Sequence, residues 1–143
     1  MTGLRNTNKM IETQEVIFRL ILAAIFGGFV GFEREVVHRP AGLRTHMLVS
    51  MGSALFVIIT VQQIPIEVAR IIAGVATGIG FLGAGTIFKS KSDVQGLTTA
   101  ASIWVVSAVG MAIGLGYYVM TISAVLLILL ILHMNKLKFF QGL

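Results

Sequence analysis

Five apolar stretches constrain the fold of this chain more than any other feature of its sequence. They cover residues 16–32, 41–62, 68–88, 97–114 and 117–134. Each can cross a bilayer as a helix, because about 20 helical residues span the hydrocarbon core of about 30 Å. Only 12% of the residues are charged, against about 25% in a typical soluble domain. The sequence therefore predicts an all-α, polytopic membrane protein, a compact bundle of five transmembrane helices over residues 16–134. A polar N-terminal segment (residues 1–15) precedes the bundle, and a short basic tail (residues 135–143) follows it.

The basic residues predict the orientation of this bundle. If the N-terminus lies outside, the segments 33–46, 89–96 and 135–143 lie in the cytoplasm. They carry seven basic residues, Arg34, Arg39, Arg44, Lys89, Lys91, Lys136 and Lys138. The outer side then carries four, Arg5, Lys9, Arg19 and Arg70. Lys and Arg are retained on the cytoplasmic side of membrane proteins, so the distribution favours an N-out, C-in topology.

A glycine fingerprint in the third apolar stretch raises the question of a nucleotide site. Gly78, Gly80 and Gly83 match the GxGxxG spacing of dinucleotide-binding loops. That motif requires a strand, a tight turn and a helix, with an acidic residue about 20 residues further on. Here the glycines lie inside an unbroken apolar run, and Asp93 follows Gly83 too closely. The sequence argues against a nucleotide ligand.

The same glycines form a small-residue face when the third stretch is drawn as a helix. At 100° per residue, Ala73, Thr77, Gly80 and Ala84 fall within about 60° of one another, with Gly74, Gly78 and Gly85 next to them. The residues predicted to pack are Gly74, Thr77, Gly78, Gly80, Gly83 and Gly85. Small residues allow membrane helices to approach closely, so this face predicts packing inside the bundle. A broken helix lining a substrate path and a homodimer interface are the alternatives. Gly27-xxx-Gly31 and Gly110-xxx-Gly114 repeat the spacing on the first and fourth helices, and Trp104 is predicted to pack within the bundle.

The sequence lacks the residues that several classes of function require. The chain has no cysteine, which excludes thiolate metal sites and cysteine nucleophiles. Its three histidines lack metal-ligand spacing, and no serine lies in a nucleophile elbow. The basic residues are not interleaved with aromatic residues on one soluble face, as nucleic-acid binding would require. We therefore expect no enzyme activity, no cofactor, no metal site and no nucleic-acid partner.

The polar residues that remain gather at the predicted inner face. Glu33 closes the first helix, Asp93 precedes the fourth, and the full set is Glu33, Arg34, Arg39, Arg44, Thr45, His46, Asp93, Thr98 and Thr99. Charges buried in membranes are usually paired, so we expect Glu33 to pair with Arg44 or Arg34. The alternative is that these residues only anchor helix ends at the interface, and that Thr98 or Thr99 caps the fourth helix.

Four motifs resemble those of one known family. They are Gly31-Phe-Glu-Arg34, Arg39-Pro-Ala-Gly-Leu-Arg-Thr-His46, Gly78-Ile-Gly-Phe-Leu-Gly-Ala-Gly85 and Gly96-Leu-Thr-Thr-Ala-Ala-Ser-Ile-Trp104. In this order they resemble the MgtC/SapB family of bacterial membrane proteins. The resemblance implies a five-helix domain of the inner membrane, often followed by a soluble C-terminal domain that we do not expect in this chain. It also implies that the polar residues named above, except Asp93, occupy positions of the family's motifs.

The resemblance also implies a function. It links the chain to magnesium homeostasis, to adaptation to low magnesium and, in some members, to virulence. We expect a non-enzymatic protein that regulates a membrane partner, with the ATP synthase as the partner the resemblance suggests, and with the lipid bilayer and a possible second copy as further contacts. A transporter or channel for magnesium or another small ion is the alternative. Magnesium is held by oxygen ligands, and the six acidic residues all lie at predicted helix ends or in loops.

Overall fold

A computed structural model of the chain describes residues 11–89 and 93–134. The described part contains five α-helices, one 3₁₀ turn and one two-stranded hairpin. In chain order they are α1 (Thr13–Val36), α2 (Leu43–Gln63), the 3₁₀ turn (Pro65–Glu67), α3 (Val68–Ala84), β1 (Phe88–Lys89), β2 (Val94–Gln95), α4 (Leu97–Gly114) and α5 (Tyr118–His133). The predicted helical bundle is confirmed. Four helical segments are long and apolar enough to cross a membrane, whereas α5 is a shorter apolar helix.

Helices α1, α2 and α4 form the centre of the bundle, and glycines bring their backbones together. A Cβ atom on Gly27 of α1 would lie 2.5 Å from the His46 carbonyl oxygen, and one on Gly31 would lie 2.8 Å from the Leu43 Cα. On α4, a Cβ atom on Gly114 would lie 2.8 Å from the Ala54 carbonyl oxygen. Real Cβ atoms do not approach this closely. The glycines of the GxxxG pairs in α1 and α4 therefore both allow close backbone contact with α2.

Helix α3 lies at the edge of the bundle, and most of its predicted small face is open. Among the described residues, no atom lies within 4 Å of a Cβ atom built on Gly74, Gly78 or Gly80. Predicted packing inside the bundle is wrong for these three glycines, since Gly74 and Gly78 line an open apolar groove of about 440 Å³ between α2 and α3 and Gly80 is exposed. Gly83 contacts α4, where its Cβ would lie 3.3 Å from the Ala100 carbonyl oxygen. A contact between the open face and another chain stays a prediction.

The course of α3 differs from the sequence prediction at its end. The helix is continuous from Val68, which contradicts the broken-helix alternative, but it stops at Ala84 and not near Phe88. Gly85 lies in the turn that follows, where Thr86 donates from its hydroxyl to the Gly83 carbonyl oxygen at 2.7 Å. Thr77 is exposed and donates to the Ala73 carbonyl oxygen of its own helix.

A short hairpin replaces the predicted loop between α3 and α4. Its strands pair antiparallel, with Phe88 opposite Gln95 and Lys89 opposite Val94. Gly96 then has a φ angle of 91°, in the left-handed region where glycine costs least. Gly96 is the N-cap of α4, with no side-chain cap, so the predicted capping by Thr98 or Thr99 is wrong.

The two ends of the bundle carry different elements. Five helix termini and the hairpin lie together at one end of the bundle. The termini are the end of α1, the start of α2, the end of α3, the start of α4 and the end of α5. We call this the hairpin end. The tail (residues 135–143) and most of the predicted N-terminal segment lie outside the described residues, as does Lys91.

Candidate functional site

Glu33 and Arg34 form an ion pair at the hairpin end. Arg34 Nε donates to Glu33 Oε2 at 2.5 Å, and a second guanidinium nitrogen, Nη2, contacts the same oxygen. The Arg34 side chain is 4% exposed, although it belongs to a residue type that is rarely buried. Glu33 Oε1 is buried without a hydrogen-bond partner among the described residues. Of the two partners predicted for Glu33, the structure therefore selects Arg34.

Arg44 and Thr45 do not join this pair. Arg44 is exposed in the first turn of α2, and within the described part of the chain it forms no ion pair. The predicted pair between Glu33 and Arg44 is wrong because the preceding loop places Arg44 on the outer side of α2. Thr45 is half-buried beside it.

Arg39 lies between two polar depressions at the hairpin end. The first has a volume of about 460 Å³ and is lined by Arg39, Asp93, Thr98 and Thr99 among others. The second, of about 580 Å³, is lined by Glu33, Arg34, Arg39 and Thr98. Arg39, Asp93 and Thr98 are exposed, whereas Thr99 is buried. The structure thus brings six of the predicted polar residues around two adjoining depressions.

His46 lies beneath this surface, fully buried between α2 and α4. Its Nδ1 is 2.9 Å from the Gly42 carbonyl oxygen. A carbonyl oxygen only accepts, so Nδ1 carries the proton in this arrangement. Its Nε2 is 3.0 Å from Ser102 Oγ, and this hydroxyl also lies 2.8 Å from the Thr99 carbonyl oxygen. His46 therefore links the start of α2 to α4 through Ser102.

Sequence reasoning missed the role of Glu35. Its Oε2 accepts a hydrogen bond from the backbone N–H of Leu43 at 2.7 Å, where Leu43 is the first residue of α2. A Cβ atom on Gly42 would lie 2.6 Å from this oxygen, so a side chain at that position would require the Glu35 carboxylate to shift. Pro40 lies before this helix. The sequence feature that could have indicated this contact is an acidic residue eight positions before a helix that lacks its own capping side chain.

A second polar cluster, also missed, closes the opposite end of the bundle. Arg19 of α1 donates to Glu15 Oε1 at 2.7 Å and to the Gly114 carbonyl oxygen at the end of α4 at 2.7 Å. The Tyr118 hydroxyl donates to the same Glu15 oxygen at 2.6 Å. Arg19 thereby satisfies a terminal carbonyl of α4. The sequence feature that could have indicated this cluster is an arginine four residues after a glutamate in an apolar helix.

Two further predictions about α3 and α4 have clear outcomes. Trp104 is 51% exposed and borders a groove between α4 and α5, so its predicted packing inside the bundle is wrong. Gly78, Gly80 and Gly83 lie within helix α3 and not in a strand-to-helix turn.

Among the described residues, no group of three or more His, Asp or Glu side chains is arranged to hold a metal ion.

Fold and site together define a class of protein. It is a small multi-pass membrane protein with a three-helix centre joined through glycines and a polar, arginine-containing site where the helices end at one membrane face. The MgtC family model matches residues 20–138, and the chain belongs to the MgtC family.

Several curated proteins are similar to the chain. The "Putative magnesium transporter YhiD" of Escherichia coli strain K12 is 46% identical over 130 residues, which cover 85% of this chain and 60% of that protein. Protein MgtC of Salmonella typhimurium strain LT2 is 40% identical over 113 residues, which cover 79% of this chain and 49% of that protein. Protein SrpB of Synechococcus elongatus is 43% identical over 116 residues, covering 71% of this chain and 64% of that protein. The chain thus spans between half and two thirds of the length of these relatives. No solved structure matches it.

Proposed function

We propose that this chain is a non-enzymatic protein of the bacterial inner membrane that acts in magnesium homeostasis by contacting another membrane protein. Family membership and the name of the YhiD relative support the link to magnesium. The family resemblance suggests the ATP synthase as the partner.

The open face of α3 carries this proposal. Ala73, Thr77, Gly80 and Ala84 are all exposed, and they fall on one side of the helix at 100° per residue. Small residues let a second membrane helix approach the backbone closely, and close approach is what holds helices together in lipid. Within the described chain no helix covers this face. We infer that a helix of the partner packs there.

Transport of magnesium is the second candidate, and the name of the YhiD relative favours it. A transport path needs oxygen ligands or water along its length. The centre of this bundle is instead closed by backbone contact, since Gly27, Gly110 and Gly114 leave no space between α1, α2 and α4. The ion pairs at Glu15 and Glu33 lie at opposite ends of α1. These contacts support regulation over transport through a single chain.

Gly80→Leu tests the regulatory proposal. A leucine side chain on the open face would hold a partner helix away, and its Cβ atom would have no described atom within 4 Å. We expect tagged Gly80→Leu protein to elute as wild type does in detergent but to recover less ATP synthase from native membranes. Ser123→Leu is the matched control, because Ser123 is a small exposed residue on α5. Its recovery of ATP synthase should be unchanged.

Other outcomes of this experiment separate the alternatives. Equal recovery of ATP synthase by wild type and Gly80→Leu would contradict the proposed contact. Loss of self-association in place of ATP synthase would identify a second copy as the occupant of the face. Wild-type protein in sealed liposomes should not pass magnesium, and a saturable magnesium flux abolished by Glu33→Gln would establish the transport candidate.

The proposed N-out, C-in orientation is tested with single cysteines, since the native chain has none. Gln63, the last residue of α2, and Gln95, in β2, are both exposed, and they precede and follow α3 in the chain. We expect an impermeant thiol reagent to label Gln63→Cys in intact cells, and to label Gln95→Cys only after the membrane is opened. The reverse pattern would invert the orientation, and labelling of both in intact cells would contradict a membrane-spanning α3.

A further inference from the structure

The polar depression around Glu33 and Arg34 continues into an apolar groove. The groove lies between α4 and α5, has a volume of about 460 Å³, and is lined by residues that include Ala101, Trp104 and Ile128. Thr98, Ile131 and Leu132 line both the groove and the polar depression. The two spaces therefore form one site, with a polar mouth at the hairpin end and an apolar channel running along α4 towards the middle of the membrane.

The mouth of this site is positively charged. It contains Arg34 and Arg39 against the single carboxylate of Glu33, and that carboxylate is already engaged by Arg34. Arg39 is exposed and forms no ion pair within 4.0 Å among the described residues. Guanidinium groups bind phosphate oxygens through several donors in a fixed geometry. An anionic group in the mouth would complement the excess charge.

The groove below the mouth has the shape and chemistry for a hydrocarbon chain. From Thr98 to Trp104 it runs along α4 over a distance of about 9 Å at the rise of an α-helix. Apart from Thr98 and Ser102, its lining side chains are apolar. A free anion would occupy the mouth but would leave this groove unused, whereas a phospholipid fills both.

We propose that the site binds one anionic phospholipid. Its phosphate lies against the exposed Arg39 guanidinium, beside the Glu33–Arg34 pair and within reach of the Thr98 hydroxyl, and one acyl chain lies in the α4–α5 groove against the ring of Trp104. A zwitterionic lipid binds less well, because its headgroup cation lies near two guanidinium groups. Basic pockets between transmembrane helices are known sites for anionic headgroups. This site is separate from the open face of α3 and is independent of the proposed partner.

Trp104 provides the measurement, because it is the chain's single tryptophan. The full chain is reconstituted in phosphatidylcholine vesicles containing a small fraction of lipid brominated on its acyl chains, which quenches tryptophan fluorescence on contact. Brominated phosphatidylglycerol is compared with brominated phosphatidylcholine at equal mole fraction. We expect half-maximal quenching at a severalfold lower fraction of phosphatidylglycerol. Arg39→Gln should reduce this preference roughly fivefold, the contribution expected of one basic side chain near a membrane.

Arg44→Gln is the matched control, since Arg44 is an exposed arginine at the same end that does not line the site. It should keep the preference. Both variants change exposed residues, and unchanged elution in detergent verifies their folding. Equal quenching by the two brominated lipids would overturn the proposal, as would equal losses in the two variants. Displacement of phosphatidylglycerol by inorganic phosphate would identify a soluble anion as the ligand. Quenching by phosphatidylglycerol that appears only after deletion of residues 135–143 would identify the tail as the occupant.

Discussion

Gly110→Ala will strongly destabilise the folded protein. A Cβ atom on Gly110 would lie 2.7 Å from the Ser50 carbonyl carbon and closer still to its oxygen. Both atoms belong to the backbone of α2, so no side-chain rotation relieves the overlap. Ser50 itself is fully buried, and its Cβ lies 2.7 Å from the position of a Cβ on Gly27. Helix α2 therefore cannot move away from α4 without striking α1.

The expected loss is at the upper end of the range for overpacked cores, roughly 3 kcal/mol or more in the free energy of unfolding. Thermal unfolding and size-exclusion profiles in detergent measure it. Gly80→Ala is the matched control, because it adds the same methyl group where no described atom lies within 4 Å. It should unfold as wild type does. If the two variants have the same stability, α2 and α4 do not approach each other as the structure indicates.

This contrast shows what the glycine patterns of the sequence could predict. The GxxxG pairs of α1 and α4 correctly indicated close packing, because the spacing places both glycines on one helix face. The same reasoning assigned packing to the face of α3 that contains Gly80, where the structure leaves it open. A helical wheel shows which residues share a face. It does not show which face meets a neighbour, since that depends on where the other helices lie.

For the polar site too, the sequence predicted where residues gather but not which of them contact each other. The sequence indicated that charged residues gather at one end, because helix ends and loops alternate between the two membrane faces. It did not select between Arg34 and Arg44 as the partner of Glu33, since that choice depends on how the chain turns between α1 and α2. That turn is fixed by Glu35, whose carboxylate binds the N–H of Leu43. A contact between residues on two helices cannot be derived from the periodicity of either.

The end of α3 shows a third kind of limit. Hydropathy predicted a helix to residue 88, because Thr86, Ile87 and Phe88 continue the apolar run. The helix stops at Ala84, and Phe88 instead begins the hairpin. Gly96 makes this connection possible, since its position against the Thr86 backbone leaves no space for a side chain. Apolar composition indicates depth in the membrane, and it does not separate a helix from a strand at the interface.

Arg34→Met will destabilise the protein more than any other removal of a single charge at the hairpin end. The substitution leaves the Glu33 carboxylate largely buried, with Oε1 unpartnered and Oε2 deprived of both guanidinium contacts. Breaking a buried ion pair in this way costs roughly 3–5 kcal/mol in the free energy of unfolding. Arg44→Met is the control, because Arg44 is exposed and unpaired among the described residues, and we expect no measurable change.

The double variant Glu33→Gln with Arg34→Met decides whether the loss comes from the pair. Replacing both partners removes the uncompensated charge, and such replacements are often neutral or stabilising. Most of the stability lost in Arg34→Met should therefore return, as measured by unfolding of the purified protein in detergent. Arg34 also fills space with its aliphatic stem, and methionine preserves much of that packing. A double variant as unstable as Arg34→Met alone would mean that the Arg34 stem, and not its charge, holds α1 in place.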